Sequence, residues 1–125
     1  MSAYDFGSGQ VTTLDPTRTV TTTGNQAGVD VSAYIGDVAV MLDATAGTGT
    51  TPSNTVKLQD SPDNSTFTDV VGGAFAGLTT VASQQKLNIN ADALNKYVRV
   101  VDTIAGTTPS YTRSVTLIGR KQVFP

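Results

Sequence analysis

The sequence predicts an all-β protein: a single antiparallel β-sandwich, jelly-roll-like, with an extended N-terminal arm. Three observations predict it. Threonine fills 21 of the 125 positions, and its branched side chain suits a pleated surface better than a helix interior. Apolar residues recur at every second position in several short runs, and no long stretch carries the i, i+3, i+4 spacing of a surface helix. Gly, Pro and Asn separate strand candidates at roughly 8–14-residue intervals, the rhythm of a sandwich or jelly roll. A chain of this length buries roughly two-thirds of its unfolded surface, enough for one core. Residues 1–25 are assigned to the arm and 26–125 to the sandwich.

The arm, "MSAYDFGSGQVTTLDPTRTVTTTGN", has few large apolar residues, and Val11–Thr13 and Thr17–Thr23 are its candidate edge strands. In "VDVSAY" the alternation puts Val29, Val31 and Ala33 on one face. "GDVAVMLDATA" points Val38, Val40, Leu42 and Ala44 inward, with Ala39 and Met41 on the reverse face. Apolar residues on both faces suggest a central strand or one covered on its second side. The composition of "AGTGTTPSN", residues 46–54, predicts a flexible loop.

"VKLQDSPDNSTFTDV", residues 56–70, is a hairpin by its residue types. Val56 and Leu58 point one way, Lys57 and Gln59 the other. Pro62 is preset for the first central turn position, and Asn64 tolerates the left-handed conformation that follows. Phe67 anchors the return strand. Leu87 and Ile89 then alternate in "QQKLNIN", "ADALNK" forms a single helical turn, and "YVRVVDTIAG" and "SYTRSVTLIG" are two strands separated by the turn "GTTPS". The segments "TAGTGTTPS" (45–53) and "IAGTTPS" (104–110) echo each other as two loops suited to one end of the sandwich, and convergent loop composition is the preferred reading of the echo over a duplicated unit. Phe67, Phe75 and Tyr97 are expected in the core.

The side-chain inventory argues against several kinds of chemistry. Charged residues make up 14% of the chain, the net charge is −2 and the pI is near 4.7, so the basic face of a nucleic-acid binder is missing. There is no cysteine and no histidine, which rules out a disulfide framework, a thiolate nucleophile and a Ser–His–Asp triad. Asp60, Asp63, Asn64 and Asp69 crowd the hairpin, yet without calcium-loop spacing they are what a turn needs for its own geometry. "GTGTTPSN" lacks the Gly-Lys-Ser/Thr ending of a phosphate loop. No enzymatic activity, cofactor or metal is expected. No apolar run approaches the ~20 residues of a membrane span, and the N-terminus lacks the basic and apolar regions of a signal peptide. Tyr4, Phe6 and Phe124 lie in tails that no core claims, so they point to contacts with a partner.

"GTGTTPSNTVKLQDSPDNSTFTDV" (47–70), "NKYVRVV" (95–101), "SVTLIGRK" (114–121) and the buried strand "DVAVMLDATAGTGT" (37–50) together resemble small proteins of tailed bacteriophages. In these a strand of the form hydrophobic-x-Leu-Gln-x-Ser leads into an Asp-rich turn and an aromatic return strand. The resemblance spans most of residues 29–121, with Asn64 standing where a turn glycine is usual. It implies a β-sandwich made in the host cytoplasm and carried on the virion. Many such proteins are head decoration, or cement, proteins on the outer surface of the capsid. The partners so implied are the major capsid protein and neighbouring copies, arranged as a trimer by analogy, with no nucleic acid and no membrane. Tyr4, Phe6 and Val11 in the arm, and Lys121, Val123 and Phe124 in the tail, are the expected contact residues. Similar sandwiches occur in phage tails, so the alternative is a tail- or fibre-associated module that recognises host-surface glycans.

Overall fold

The structure, a computed structural model, describes residues 9–121. Eight strands follow in order: β1 (Gly9–Val20), β2 (Gly24–Asn25), β3 (Val29–Asp30), β4 (Tyr34–Ala44), β5 (Thr48–Ser61), β6 (Thr68–Ala74), β7 (Ser83–Asn90) and β8 (Tyr97–Lys121). Among the described residues a 3-10 turn, Ala91–Ala93, is capped by the Asn90 side chain, which accepts the Asp92 N–H at 2.9 Å. All strand pairs are antiparallel, in the order β6-β5-β8-β4-β7, with β1, β2 and β3 also on β8. The all-β class stands: the sheet is nearly closed on itself.

The long strand β8 organises both layers. Its first half pairs with β5 on one side and with β2 and β3 on the other. Its second half lies between β1 and β4. Arg113 and Asp102 belong to this one strand and would lie about 36 Å apart if it were straight. Instead Arg113 Nε donates to Asp102 Oδ1 at 3.0 Å, so β8 folds over between them and passes from one layer to the other.

The bend is where the two Gly-Thr-Thr-Pro-Ser copies lie. They pair with each other: Thr48 opposes Ser110, Thr50 opposes Thr107 and Ser53 opposes Ala105, with a register shift at each step. Both copies have the same backbone, with Gly49 and Gly106 at φ 113° and 112°, and Thr51 and Thr108 at φ 46° and 48°. Each copy is a bulge that turns its strand through the corner. Two sequence expectations are corrected here. Residues 46–54 are not a flexible loop, since β5 begins at Thr48. "GTTPS" at 106–110 is not a turn between two strands but a corner within one.

One core fills the space between the layers. Val38, Val40, Leu42 and Ala44 from β4 point into it, as the alternation predicts, with Val115 and Leu117 beside them. Val56, Leu58, Val98 and Val100 face them from the other layer, and Phe75 and Leu78 close one side. Phe75 is buried, whereas Phe67 and Tyr97 are only half-buried. Ala33 is exposed and Tyr34 takes the buried place. The cause is local: Asp30 accepts the N–H of Ser32 at 2.9 Å and its hydroxyl at 2.7 Å, which turns the chain and shifts the alternation.

The described part of the arm is a full member of the sheet. Residues 9–20 form one strand on the second half of β8, and they bury Leu14, Asp15 and Val20. Two register shifts, at Thr13/Asp15 and Asp15/Arg18, hide this from the sequence because they place consecutive residues on the same side.

The hairpin forms with β5 ending at Ser61 and β6 starting at Thr68, and Asn64 adopts φ 59°. Asp63 Oδ1 accepts the Ser61 hydroxyl at 2.8 Å and the N–H groups of Ser65 and Thr66 at 3.0 Å each. Those donors, the Thr66 N–H foremost, hold its carboxyl below the ordinary carboxylate value. Gln59 first and Lys57 second do the same for Asp69, and the Ser32 hydroxyl does so for Asp30. A depressed carboxylate contributes stability that is complete above its unfolded value, near about pH 4, and is lost as pH falls through the depressed value. Stability is therefore expected to be flat near neutrality and to fall below about pH 4. Urea titrations at stepwise lower pH check this, and Asp63→Asn should lower the neutral plateau and shrink the acid loss.

Candidate functional site: the outer apolar face of one layer

The two layers present different surfaces. On the outside of the β5–β6 layer, Arg99 donates to Gln59 Oε1 from Nε at 3.0 Å and from Nη2 at 2.7 Å. Gln59 passes on to Asp69 at 2.8 Å, and Lys57 pairs with Asp69 at 3.0 Å. The Arg99 guanidinium lies 4.0 Å from the centre of the Phe67 ring. These groups satisfy one another. Phe67 thus anchors the return strand from the outside, through a cation, instead of from the core.

The outside of the β1–β8–β4–β7 layer is different. Val11 lies opposite Ile118, and Ile118 lies opposite Ala39, so one row of apolar side chains crosses three strands. Met41 and Ile35 flank the row on β4. Val11 is 65% exposed, Met41 44%, Ile35 42% and Ile118 37%, so this stripe faces outward uncovered by the described residues. The outward face of an antiparallel sheet is ordinarily polar. Ala39 and Met41 are thus the reverse-face residues the sequence singled out, on a strand that is central in its layer but open on its second side.

The stripe runs to the corner where Gly9 and Lys121, the first and last described residues, lie. Gly9 opposes Arg120 and Tyr34 opposes Lys121. The Tyr34 hydroxyl and Thr12 Oγ1 are 2.5 Å apart, and Lys121 Nζ stands 5.4 Å from the centre of the Tyr34 ring. Of the six expected contact residues, Val11 and Lys121 are placed here, both exposed. Tyr4, Phe6, Val123 and Phe124 lie outside the described residues.

The layers are held in position by a buried ionic network. Arg113 is 1% exposed and carries Asp102 on Nε and Nη2 and Asp15 on Nη1. Asp15 Oδ1 also takes Arg18 at 2.8 Å. Asn54 Nδ2 donates to Asp102 Oδ1 at 3.1 Å, and Gln26 Nε2 reaches Asp102 Oδ2 at 3.4 Å. Burial works against the charge on Arg113, but the hydrogen bonds and charges of Asp102 and Asp15 outweigh it and raise its pKa. The network joins β1, β5 and both halves of β8, so it fixes the angle at which the apolar face meets the rest. The sequence carried a signal for it. Asp102 falls in phase with Val98 and Val100, and Arg113 in phase with Tyr111 and Val115, where a charge needs a buried partner.

These features define a class: a small antiparallel β-sandwich with one self-satisfied polar face and one apolar face. No protein-family model matches the chain, and no curated protein sequence is similar to it. Among solved structures it is similar to the SPBc2 prophage-derived protein YomS, with 12% identity, a TM-score of 0.51, and coverage of 89% of this chain and 93% of that one. A family 29 carbohydrate-binding module from Piromyces equi aligns at 12% identity and a TM-score of 0.46, over 90% of this chain and 91% of that one. The VP2 subviral particle of infectious bursal disease virus aligns at 12% identity and a TM-score of 0.44, over 88% of this chain but 32% of that one. The likeness to YomS is one of fold, and the other two are too distant to bear on function.

Proposed function

We propose that this chain is a structural virion protein, a decoration or cement protein that binds the outer surface of a phage head and stabilises the shell. The observation that carries this reading is the apolar stripe Val11–Ile118–Ala39, continuous with the corner formed by Gly9, Tyr34, Arg120 and Lys121. It gives the chain a docking surface of its own. The resemblance of residues 29–121 to phage decoration proteins supplies the partner, and a fold shared with a prophage-derived protein along nearly its whole length is consistent with it.

Such a protein acts by area, not by reaction. The stripe and the tails carrying Tyr4, Phe6, Val123 and Phe124 lie against the major capsid protein. Copies packed about a local symmetry axis, a trimer by analogy with the family, add their weak contacts together. Binding only the assembled shell stabilises that state by mass action.

The test is co-sedimentation of the purified chain with undecorated heads. Wild-type protein should reach a ratio to the major capsid protein near one to one. Ile118→Asp, an outward position with no core role, should weaken binding at least tenfold while leaving the melting temperature nearly unchanged. Removing residues 1–8, which precede β1, should weaken binding without unfolding the sandwich. A wild-type protein found at a few copies per particle, or retained instead on host glycans, would replace this reading with the tail-associated one.

A further inference from the structure

We propose that the seam between β6 and β7 accepts an extended segment of a partner protein as an added strand, with an apolar side chain in the seam and a basic residue beside it. The inference is independent of the apolar face and of the head reading.

The seam is one place where the sheet stays open; among the described residues β1, β2 and β3, which pair only with β8, line another. β6 ends the sheet on one side and β7 on the other, and among the described residues neither pairs with the other. At its upper end the seam is already bridged. Gln85 Oε1 accepts the Ala76 N–H at 2.7 Å and Nε2 donates to the Ala76 carbonyl at 3.0 Å, which imitates a rung of a ladder with a side chain. Below that point the strands part around a cavity of about 450 Å³. Val70, Val71, Ile89 and Leu94 supply its apolar lining, and Asp60 and Asp69 its charge.

The other sheet edges are blunted. β1 carries two register shifts and Pro16, and β2 and β3 are two residues each. β6 sets four residues, Val70–Gly73, opposite Leu58 alone, and Gly72 adopts φ 74° in that bulge. β7 has none of these devices. Its eight residues pair with Asp37–Ala44 in unbroken register, contain no proline, and carry a single charge, Lys86. A regular edge of this kind is a template for strand addition.

The lining selects the occupant. Val71 is 97% exposed at the tip of the bulge, so an alternating strand laid on β7 gives it an apolar neighbour. Among the described residues no aromatic ring lines the cavity, which leaves a sugar without a stacking platform and favours a peptide. Two carboxylates line it and no described basic side chain does; Asp69 is already held by Lys57 at 3.0 Å, whereas Asp60, whose Oδ2 accepts the Asn95 N–H at 2.9 Å, pairs with no cation among the described residues. The complementary strand therefore brings lysine or arginine.

The experiment uses the isotopically labelled full chain and three eight-residue peptides. One alternates valine with lysine and threonine, one has glutamate in place of lysine, and one has proline at every second position. The lysine peptide should slow amide exchange within Leu87–Asn90 at least tenfold and shift the signals of Val71 and Asn88. The proline peptide should do neither, and Asp60→Asn should reduce the preference for lysine over glutamate. The proposal is overturned if no peptide protects β7, if protection arises at β1, β2 or β3 instead, or if the glutamate peptide acts equally well. Protection of every Leu87–Asn90 amide before any peptide is added would also overturn it, because the chain's own residues would then fill the seam.

Discussion

Replacing Arg113 alone with methionine is expected to lower the unfolding free energy by about 3–5 kcal/mol, the usual cost of leaving buried carboxylates without their cation. For a domain of this size that is a fall in melting temperature of roughly 10–20 °C. Asp102 is 0% exposed and Asp15 2%, so neither carboxylate recovers water when the guanidinium is lost. The combined variant Arg113→Met, Asp102→Leu, Asp15→Leu should cost far less than Arg113→Met by itself, because it removes the charges together with their desolvation. Urea denaturation of the two variants makes the comparison. Equal losses would mean that the side chains matter for their packing and not for their charge. A small loss in the single variant would mean that water reaches the network.

The second large effect is expected at the corner. Gly49→Ala and Gly106→Ala each force a side chain onto a backbone near φ +112°, at roughly 1–3 kcal/mol of strain. Space makes it worse. A Cβ on Gly49 would lie 2.6 Å from the Thr108 carbonyl oxygen, and one on Gly106 would lie 2.7 Å from that of Thr51. Both oxygens belong to the opposite copy of the repeat, so relief requires moving the partner strand. The two changes should therefore be non-additive, with the double variant losing less than the sum, since either one already opens the shared corner. Gly24→Ala is the control: nothing lies within 4 Å of its added carbon. It should change stability by less than about 0.5 kcal/mol.

The repeat also shows where sequence reading succeeds and where it stops. The echo of 45–53 in 104–110 is plain in the sequence, and so is the bending tendency of Gly, Thr and Pro. Whether a bend reverses a strand or carries it round a corner is not a local property. It depends on a second strand bending in step, and here that strand lies some 57 residues away, at the other copy of the repeat. Hence the loop expected at 46–54 became the start of β5, and the two strands expected after Tyr97 became one strand, β8, that serves both layers.

The candidate site divides in the same way. Aromatic residues in coreless tails, Val11 on the arm, and Ala39 and Met41 on the back of β4 were all legible as residues without an obvious core role. That Val11, Ile118 and Ala39 form one row was not legible, because the row depends on the register of β1 and β4 on the same half of β8. Nor was the burial of Leu14 and Asp15 in the arm. Their segment is shifted in register twice, which erases the alternation by which a buried strand is recognised.

By itself, then, the sequence determined the all-β class, the inward sets Val38–Val40–Leu42–Ala44 and Val56–Leu58, the Asp-Asn hairpin, and the lack of histidine and cysteine chemistry. All of these follow from single residues or from the two-residue period of a strand, and both are properties of the local chain. Only the tertiary structure decided that β8 serves both layers, that Arg113 meets Asp102 and Asp15, and that Val11, Ile118 and Ala39 form one exposed apolar row. Those outcomes rest on pairings between residues up to about a hundred positions apart. They are selected by closing one sheet around one core, a condition that no short stretch of sequence contains.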